Sequence, residues 1–418
     1  MPQSQKPTMQ NQSPPNDQYQ FFDQNRGDAP WLDSHLLPEN PYQEQWGNLV
    51  DGKVEPHDLP TLLAQLKAGP GALQWNGKPE NPPIAFVAAP GEKRMVPVAE
   101  RQEFKDLILD SHEKFYSSKK KKNGLIFLFL FCICLAMAYG GLGGDAFLPA
   151  IFAVISGGAY LESWIALQNL RKGPDEYLKT LAATARYAYW QVSGGVRTRF
   201  RTYSMVGAWI IIAVIQACVS FDTSPHGSRS GILAVGLIKS LVSQQPWRLL
   251  TGPMLHVDLM HIIMNALAML SLGTIIERSV HRHLVAPIWV LGALFGSLLS
   301  WIAFPATSIG ASGGIMALFG FLLVTAWRRR PLLPPNFFPS LLRSLLIMVV
   351  FGILAWAVID NAAHFGGLTF GALFGAWVFR SPFGTLPIKN AIWLRLSGLI
   401  AEFVFVLVAI ATAVILLR

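Results

Sequence analysis

The sequence predicts an all-α protein that crosses a membrane many times. Three observations carry that expectation. Of the 418 residues 52% are hydrophobic and only 14% charged, with a mean hydropathy of +0.37, outside the usual balance of a water-soluble globular chain. Apolar runs long enough to cross a hydrocarbon core of roughly 30 Å as helices recur along the chain. The basic residues, finally, collect in short stretches between those runs. Residues 1–122 hold 14 Lys+Arg against 16 Asp+Glu, which leaves 20 against nine for the remainder, so the formal charge of +9 belongs to the membrane part. Lys and Arg placed this way orient a membrane protein, and a nucleic-acid partner gains no support.

Residues 1–60 are rich in Gln, Asn, Pro and acidic side chains and lack hydrophobic periodicity, which predicts a disordered aqueous tail. Asp17, Asp23, Asp28 and Asp33 exclude an acid-poor transit peptide, and no secretory signal is visible there. From about 60 to 118, the apolar run Ile84–Ala89 and the helical stretch Ala99–Phe115 predict a small soluble subdomain, so that 1–118 forms one cytoplasmic N-terminal region. The lysine run Lys119–Lys122 then anchors a hairpin of two spans, Leu125–Leu142 and Ala146–Leu167, within 119–168. In the next segment, 169–202, Leu178, Leu181, Ala182, Ala185 and Tyr189 follow helical spacing beside basic residues, the pattern of a helix lying on the cytoplasmic membrane surface.

Six spans follow in 203–380: Tyr203–Phe221, Leu259–Ile276, Leu284–Phe304, Ser312–Trp327, Leu341–Val358 and Asn361–Phe379. Ile232–Val242, between the first two, is apolar but too short to cross and is expected to lie flat in the outer leaflet. A linker within 381–418 leads to a last span, Trp393–Leu417. With the lysine run in the cytoplasm, 20 Lys+Arg fall on that side and four on the other, which puts the N-terminus inside and the C-terminus outside. Glu402 lies well within the last span and calls for a hydrogen-bonding partner in the six-span core, a regulatory role being the alternative. Cys132, Cys134 and Cys218 sit in apolar runs without metal-ligand or disulfide spacing, so neither a metal nor a cofactor is implied.

Three constellations able to do chemistry occupy the outer ends of predicted spans: His256, His261 and Asn265; Gly310, Ser312 and Gly313; and Asn361 with His364. A serine hydroxyl is a weak nucleophile and needs an adjacent base, usually a neutral imidazole, which makes Ser312 and His364 the candidate nucleophile and base. His261 and Asn265 are four residues apart and share one helix face, where both can donate to a developing oxyanion. The Ser312 N–H, near a helix start, is a third donor. Asp258 reads as a residue at a helix N-terminus, and Asp360 is similarly placed before the span that carries His364.

Trp247-Arg248, the series His256, His261 and Asn265, the Gly-x-Ser-Gly of 310–313 and the run Ile359 to Gly367 together resemble the rhomboid intramembrane proteases over about Tyr203 to Arg380. The resemblance implies a six-helix rhomboid core at 203–380, here with the added N-terminal hairpin and one C-terminal helix. It further implies a serine endopeptidase with a Ser312–His364 dyad, oxyanion stabilisation by His261 and Asn265, and support from His256, Gly310 and Gly313. Trp247 and Arg248 would anchor the outer loop. Its substrates would be transmembrane segments of other proteins, cut near the outer face through an acyl-enzyme within the lipid bilayer, with no nucleic acid and no cofactor. The missing signal and transit features point to a bacterial inner membrane.

Competing readings predict features that differ. Gly310–Gly314 also fits the nucleophile elbow of α/β-hydrolases, which needs a preceding strand where a membrane helix is expected. Glycines around Ser312, with Gly367, Gly371 and Gly375, equally suit helix packing, which is compatible with catalysis. His256 would alternatively hydrogen-bond a loop at the helix start. A transporter predicts two matching halves with interrupted spans. A catalytically inactive rhomboid-like protein, serving membrane-protein binding or quality control, predicts loss of the serine or histidine, and both are present.

Overall fold

The computed structural model describes residues 37–50, 53–67, 86–139, 147–193, 199–220, 227–356, 359–379 and 392–418. Residues 1–36 of the expected tail lie outside them. Within 37–60 the tail expectation is corrected, because β1 (Trp46–Val50) and β2 (Lys53–His57) form an antiparallel pair there. With β3 (Phe86–Ala88) and β4 (Val96–Pro97) they make a four-stranded sheet of order β2-β1-β3-β4. Asn40 ties the preceding chain to the sheet, its Nδ2 donating to the Glu92 carbonyl at 3.0 Å. These strands escape a local reading because β1 needs β3, some 40 residues downstream, to complete its pairing.

The sheet and α1 (Leu59–Lys67) pack on the start of α2 (Lys105–Tyr139), a single helix that carries the lysine run and continues into the first apolar run. A second helix covers the sheet. Leu178 and Ala182 of α4 (Pro174–Ser193) are buried with Leu62, Val87, Phe104 and Ile108, while Tyr189 meets Phe86 edge to ring at 5.5 Å. The apolar stripe of 169–202, expected to face the bilayer, is thus covered by protein. Its physical cause is the small subdomain, which has an apolar face of its own and no other partner of matching size.

The hairpin consists of α2 and α3 (Phe147–Lys172), whose apolar side chains stay exposed, as at Leu125, Phe129 and Ile155. After α5 (Phe200–Ser220), α6 (Gly227–Val235) and α7 (Arg248–Thr251) belong to the loop that leads to α8 (Leu259–Ser279). Then come α9 (Val285–Ala303), α10 (Ser312–Arg328), α11 (Phe337–Leu354), α12 (Asn361–Val378) and α13 (Ile392–Leu416). Among the described residues, the apolar runs expected to span a membrane fall on helices. Among the described residues five helices satisfy both length and apolarity for crossing a membrane, those at 200–219, 259–279, 282–303, 337–354 and 394–416, and α10 is a shorter apolar one. Helix α12 is diluted by Asn361, His364 and its glycines. The protein is an all-α, multi-pass integral membrane protein that also bears a small subdomain of mixed helix and strand.

Buried and exposed helices divide the bundle. In α9, 61% of the crossing segment is buried, against 11% in α11, so α9 and α10 form the centre and α11 is a peripheral element. Helices α10 and α12 touch backbone to backbone: a Cβ on Gly367 would run into the Gly313 carbonyl, and one on Gly371 into that of Ala317. The segment Ile232–Val242, expected to lie flat in the outer leaflet, packs one side on protein and keeps Leu233 exposed. Leu237 and Val242 are buried against Leu249, with Leu294 and Leu298 of α9 beside them.

Glu402 finds the partner its position demands. Arg201, at the start of α5, donates through Nε to the Glu402 carboxylate, and the Arg201 and Thr202 backbone N–H groups each donate to Glu277 of α8 at 3.0 Å. One arginine therefore joins α5 to α13 while Glu277 joins α5 to α8. At the opposite end Leu416 of α13 reaches Gly231 of α6.

Candidate active site

The glycine seam between α10 and α12 places their first turns side by side. Ser312 opens α10, His364 lies one turn into α12, and Ser312 Oγ and His364 Nε2 share a hydrogen bond of 2.8 Å across 52 residues of sequence. Helix α12 starts where it does because Asp360 caps it, its Oδ1 accepting from the Ala363 N–H at 2.9 Å. Helix α10 has no side-chain cap; its N-terminal N–H groups stay available beside the serine.

Gly310 turns the chain into that helix with φ at +123°, a conformation a side chain strains to adopt. A Cβ there would also lie 2.7 Å from Cε1 and 2.9 Å from Nε2 of His261. The His261 ring therefore rests on the loop two residues before Ser312. It is held by α8, which Asp258 caps by accepting from the His261 N–H at 2.7 Å. The Val257 N–H approaches His261 Nδ1 at 3.4 Å, an arrangement that leaves the proton of a neutral ring on Nε2, toward Gly310.

Asn265, one turn further along α8, is buried, and its Nδ2 has no hydrogen-bond partner among the described residues. A buried donor without a partner is uncommon and suits a group that arrives with a substrate. Among the described residues, the His256 ring does not make the loop hydrogen bond of its alternative reading. The residue's backbone, not its ring, makes the hydrogen bonds, with Gln216 Nε2 donating to the His256 carbonyl at 2.8 Å and the His256 N–H donating to Gln216 Oε1 at 3.3 Å. Neither ring nitrogen has a partner among the described residues, and the ring packs edge-on to His261 at 5.2 Å. Burial and the neighbouring His261 push the His256 imidazole down to about 3, so it stays neutral beside the site.

Arg248 is buried and ends α6: Nη1 donates to the Gly236 carbonyl at 2.6 Å and Nη2 to that of Leu233 at 3.0 Å, while Nε reaches Gln245. Its guanidinium lies 4.7 Å from the Trp247 ring centre. This pair pins the loop between α5 and α8, whose backbone also exchanges two hydrogen bonds between Leu237 and Ser308. Gly313 is buried where α10 meets Ala363.

Sequence reasoning overlooked Lys239, Ser300 and Ser308, which with Asp360 form a hydrogen-bonded cluster next to the dyad. The signal was a lysine inside the otherwise apolar run Ile232–Val242. An alcohol in hydrogen-bond contact with an imidazole, flanked by unpaired donors, is the arrangement that base-assisted acyl transfer requires.

Comparison with known proteins matches the same part of the chain. A family model described as the rhomboid domain matches residues 243–381. Rhomboid protease GluP of Bacillus subtilis (strain 168) is 36% identical over 144 residues, covering 34% of this chain and 28% of that protein. RHOMBOID-like protein 1 of Arabidopsis thaliana is 30% identical over 170 residues, covering 39% and 42%. Rhomboid-related protein 2 of Mus musculus is 29% identical over 177 residues, covering 39% and 58%. The match spans less than two thirds of each of these relatives, and the rhomboid-domain match at 243–381 leaves the hairpin and the N-terminal subdomain outside it. Residues 243–381, which hold the serine, the three site histidines and the asparagine, are the part of the chain that matches the rhomboid domain.

Proposed function

We propose that the protein is an intramembrane serine endopeptidase that cleaves transmembrane segments of other membrane proteins near the outer face. The observation that carries the reading is the 2.8 Å contact between Ser312 Oγ and His364 Nε2 at the mouths of two membrane helices. Ser312 Oγ attacks the scissile carbonyl carbon as its proton passes to His364 Nε2. The oxyanion that forms is met by His261 Nε2–H, Asn265 Nδ2–H and the Ser312 N–H. His364 then gives its proton to the leaving amide nitrogen, the C–N bond breaks, and an acyl-enzyme on Ser312 remains. Water, deprotonated by His364, attacks the ester and releases the second product, restoring the serine. Trp247 and Arg248 keep the outer loop in place over the site, with His256 packing behind His261.

The charge asymmetry of the loops supports a cytoplasmic N-terminus, with 1–118 and the linked α2–α3 hairpin as an added cytoplasmic and membrane module on the core at 203–380, and a bacterial inner membrane is the compartment proposed. The partners are transmembrane substrates and the surrounding lipid. The test is cleavage of a reporter transmembrane segment in proteoliposomes. Ser312→Ala and His364→Ala are expected to abolish cleavage and labelling of Ser312 by a fluorophosphonate, with membrane insertion unchanged. Cleavage that survives Ser312→Ala removes the proposal, and a wild type that inserts but neither labels nor cleaves favours an inactive binding protein.

A further inference from the structure

One cluster of polar side chains stands beside the dyad and touches both segments that carry it. Lys239 comes from the loop after α6, Ser300 from the last turn of α9, Ser308 from the loop before α10, and Asp360 from the cap of α12. Lys239 Nζ donates to Ser308 Oγ at 2.9 Å and also to Ser300 Oγ. Both hydroxyls donate to Asp360 Oδ2, and the charged atoms of Lys239 and Asp360 are 3.9 Å apart. The two side chains are only 11% and 13% exposed, and Ser300 is fully buried. Ser308 precedes Ser312 by four residues, and Asp360 precedes His364 by four.

We propose that Lys239 and Asp360, bridged by Ser300 and Ser308, are positioning residues that hold Ser312 and His364 in register across the α10–α12 contact. This rests on the dyad reading given above. A helix cap alone does not account for the cluster, because capping uses only Oδ1 of Asp360 and leaves Oδ2 turned to the serines. Nor does packing favour it: a lysine taken from water into an apolar run is costly unless it is paired and fully hydrogen-bonded. What the cluster adds to the glycine seam is a side-chain joint between the two chain segments that end on the dyad atoms. Reacting groups displaced by about 1 Å lose roughly a hundredfold in rate, so a joint of this kind has a kinetic consequence.

The test compares full-length wild type, Lys239→Met, Asp360→Asn, Ser308→Ala and the Lys239→Met/Asp360→Asn double variant in proteoliposomes, each reacted with a fluorophosphonate probe. Asparagine retains the capping oxygen and loses the charge, so Asp360→Asn separates positioning from helix initiation. Each of the Lys239 and Asp360 single variants is expected to lower the saturating labelling rate at least about tenfold, with the half-saturating probe concentration within about twofold of wild type, as follows from loss of alignment without loss of binding. The double variant is expected to be no slower than the slower single variant, the sign of a shared joint. Should Lys239→Met fail to accumulate, Asp360→Asn and Ser308→Ala carry the same measurement. Single variants that label at the wild-type rate, or effects that multiply in the double variant, overturn the inference while leaving the dyad standing. A wild type that does not label, like Ser312→Ala, overturns the dyad reading and this inference with it.

Discussion

Asn265 shows how a single buried group divides stability from activity. Its Nδ2 has no partner among the described residues, so truncating it breaks no hydrogen bond of the resting protein and removes a desolvated donor. In the acyl-transfer reading the same atom meets the oxyanion, where loss of one donor lowers turnover on the order of a hundredfold to a thousandfold. Asn265→Ala is therefore expected to depress the reporter turnover rate by that order with its melting midpoint unchanged or raised. A lowered midpoint with full turnover contradicts it. Gly310 behaves in the opposite way: at φ +123° and against the His261 ring, it has no room for a methyl group, and Gly310→Ala is expected to lose both stability and labelling. Thermal unfolding in detergent together with fluorophosphonate labelling checks both variants.

Among the elements, the pair α10 and α12 governs the site. Their contact runs through carbonyl oxygens facing glycines, so the distance between the two axes is set by the absence of side chains. Gly371 stands nearly two turns beyond His364, outside the chemistry, yet a Cβ there meets the Ala317 carbonyl. Gly371→Ala is expected to part the helices, cost about 1–3 kcal/mol in stability and slow labelling of Ser312 from a distance. Equal melting and equal labelling in that variant show that the seam does not set the dyad. This element pair was legible in the sequence because short-range signals sufficed: glycines at intervals of four, a Gly-x-Ser-Gly at a span start, and an aspartate just before a span. The Lys239 cluster was not, since its members come from four separate segments and each is ordinary alone. Strands β1 and β2 were hidden for a related reason, as their pairing partner β3 is distant in sequence and their polar composition imitates a tail.

Across the whole molecule, apolar patterning read the membrane part well because lipid imposes a length and a composition on each span, whereas it misjudged α4, whose apolar stripe fits a membrane surface and a protein surface equally. The soluble subdomain that claims that stripe brings a titrating group with it. His112 of α2 is buried against α4, its Nδ1 2.8 Å from Tyr177 Oη, and burial pushes its imidazole down to about 4 from the ordinary 6.5. Because the folded pKa is the lower one, the unfolded state binds the extra proton between those values. The contribution is complete above pH 6.5 and is lost as pH falls toward 4, at about 1.4 kcal/mol per pH unit. Between pH 6.5 and 5 ordinary carboxylates remain ionised, so a histidine-driven loss stands out in that window. Acidification over it is expected to speed amide exchange in β1, β3 and the N-terminal turns of α2. His112→Phe retains an aromatic ring between α2 and α4 but cannot take up a proton, and should flatten the dependence. If exchange in the variant accelerates with acid as steeply as in wild type, His112 is not the group that ties the subdomain to the membrane bundle through α4.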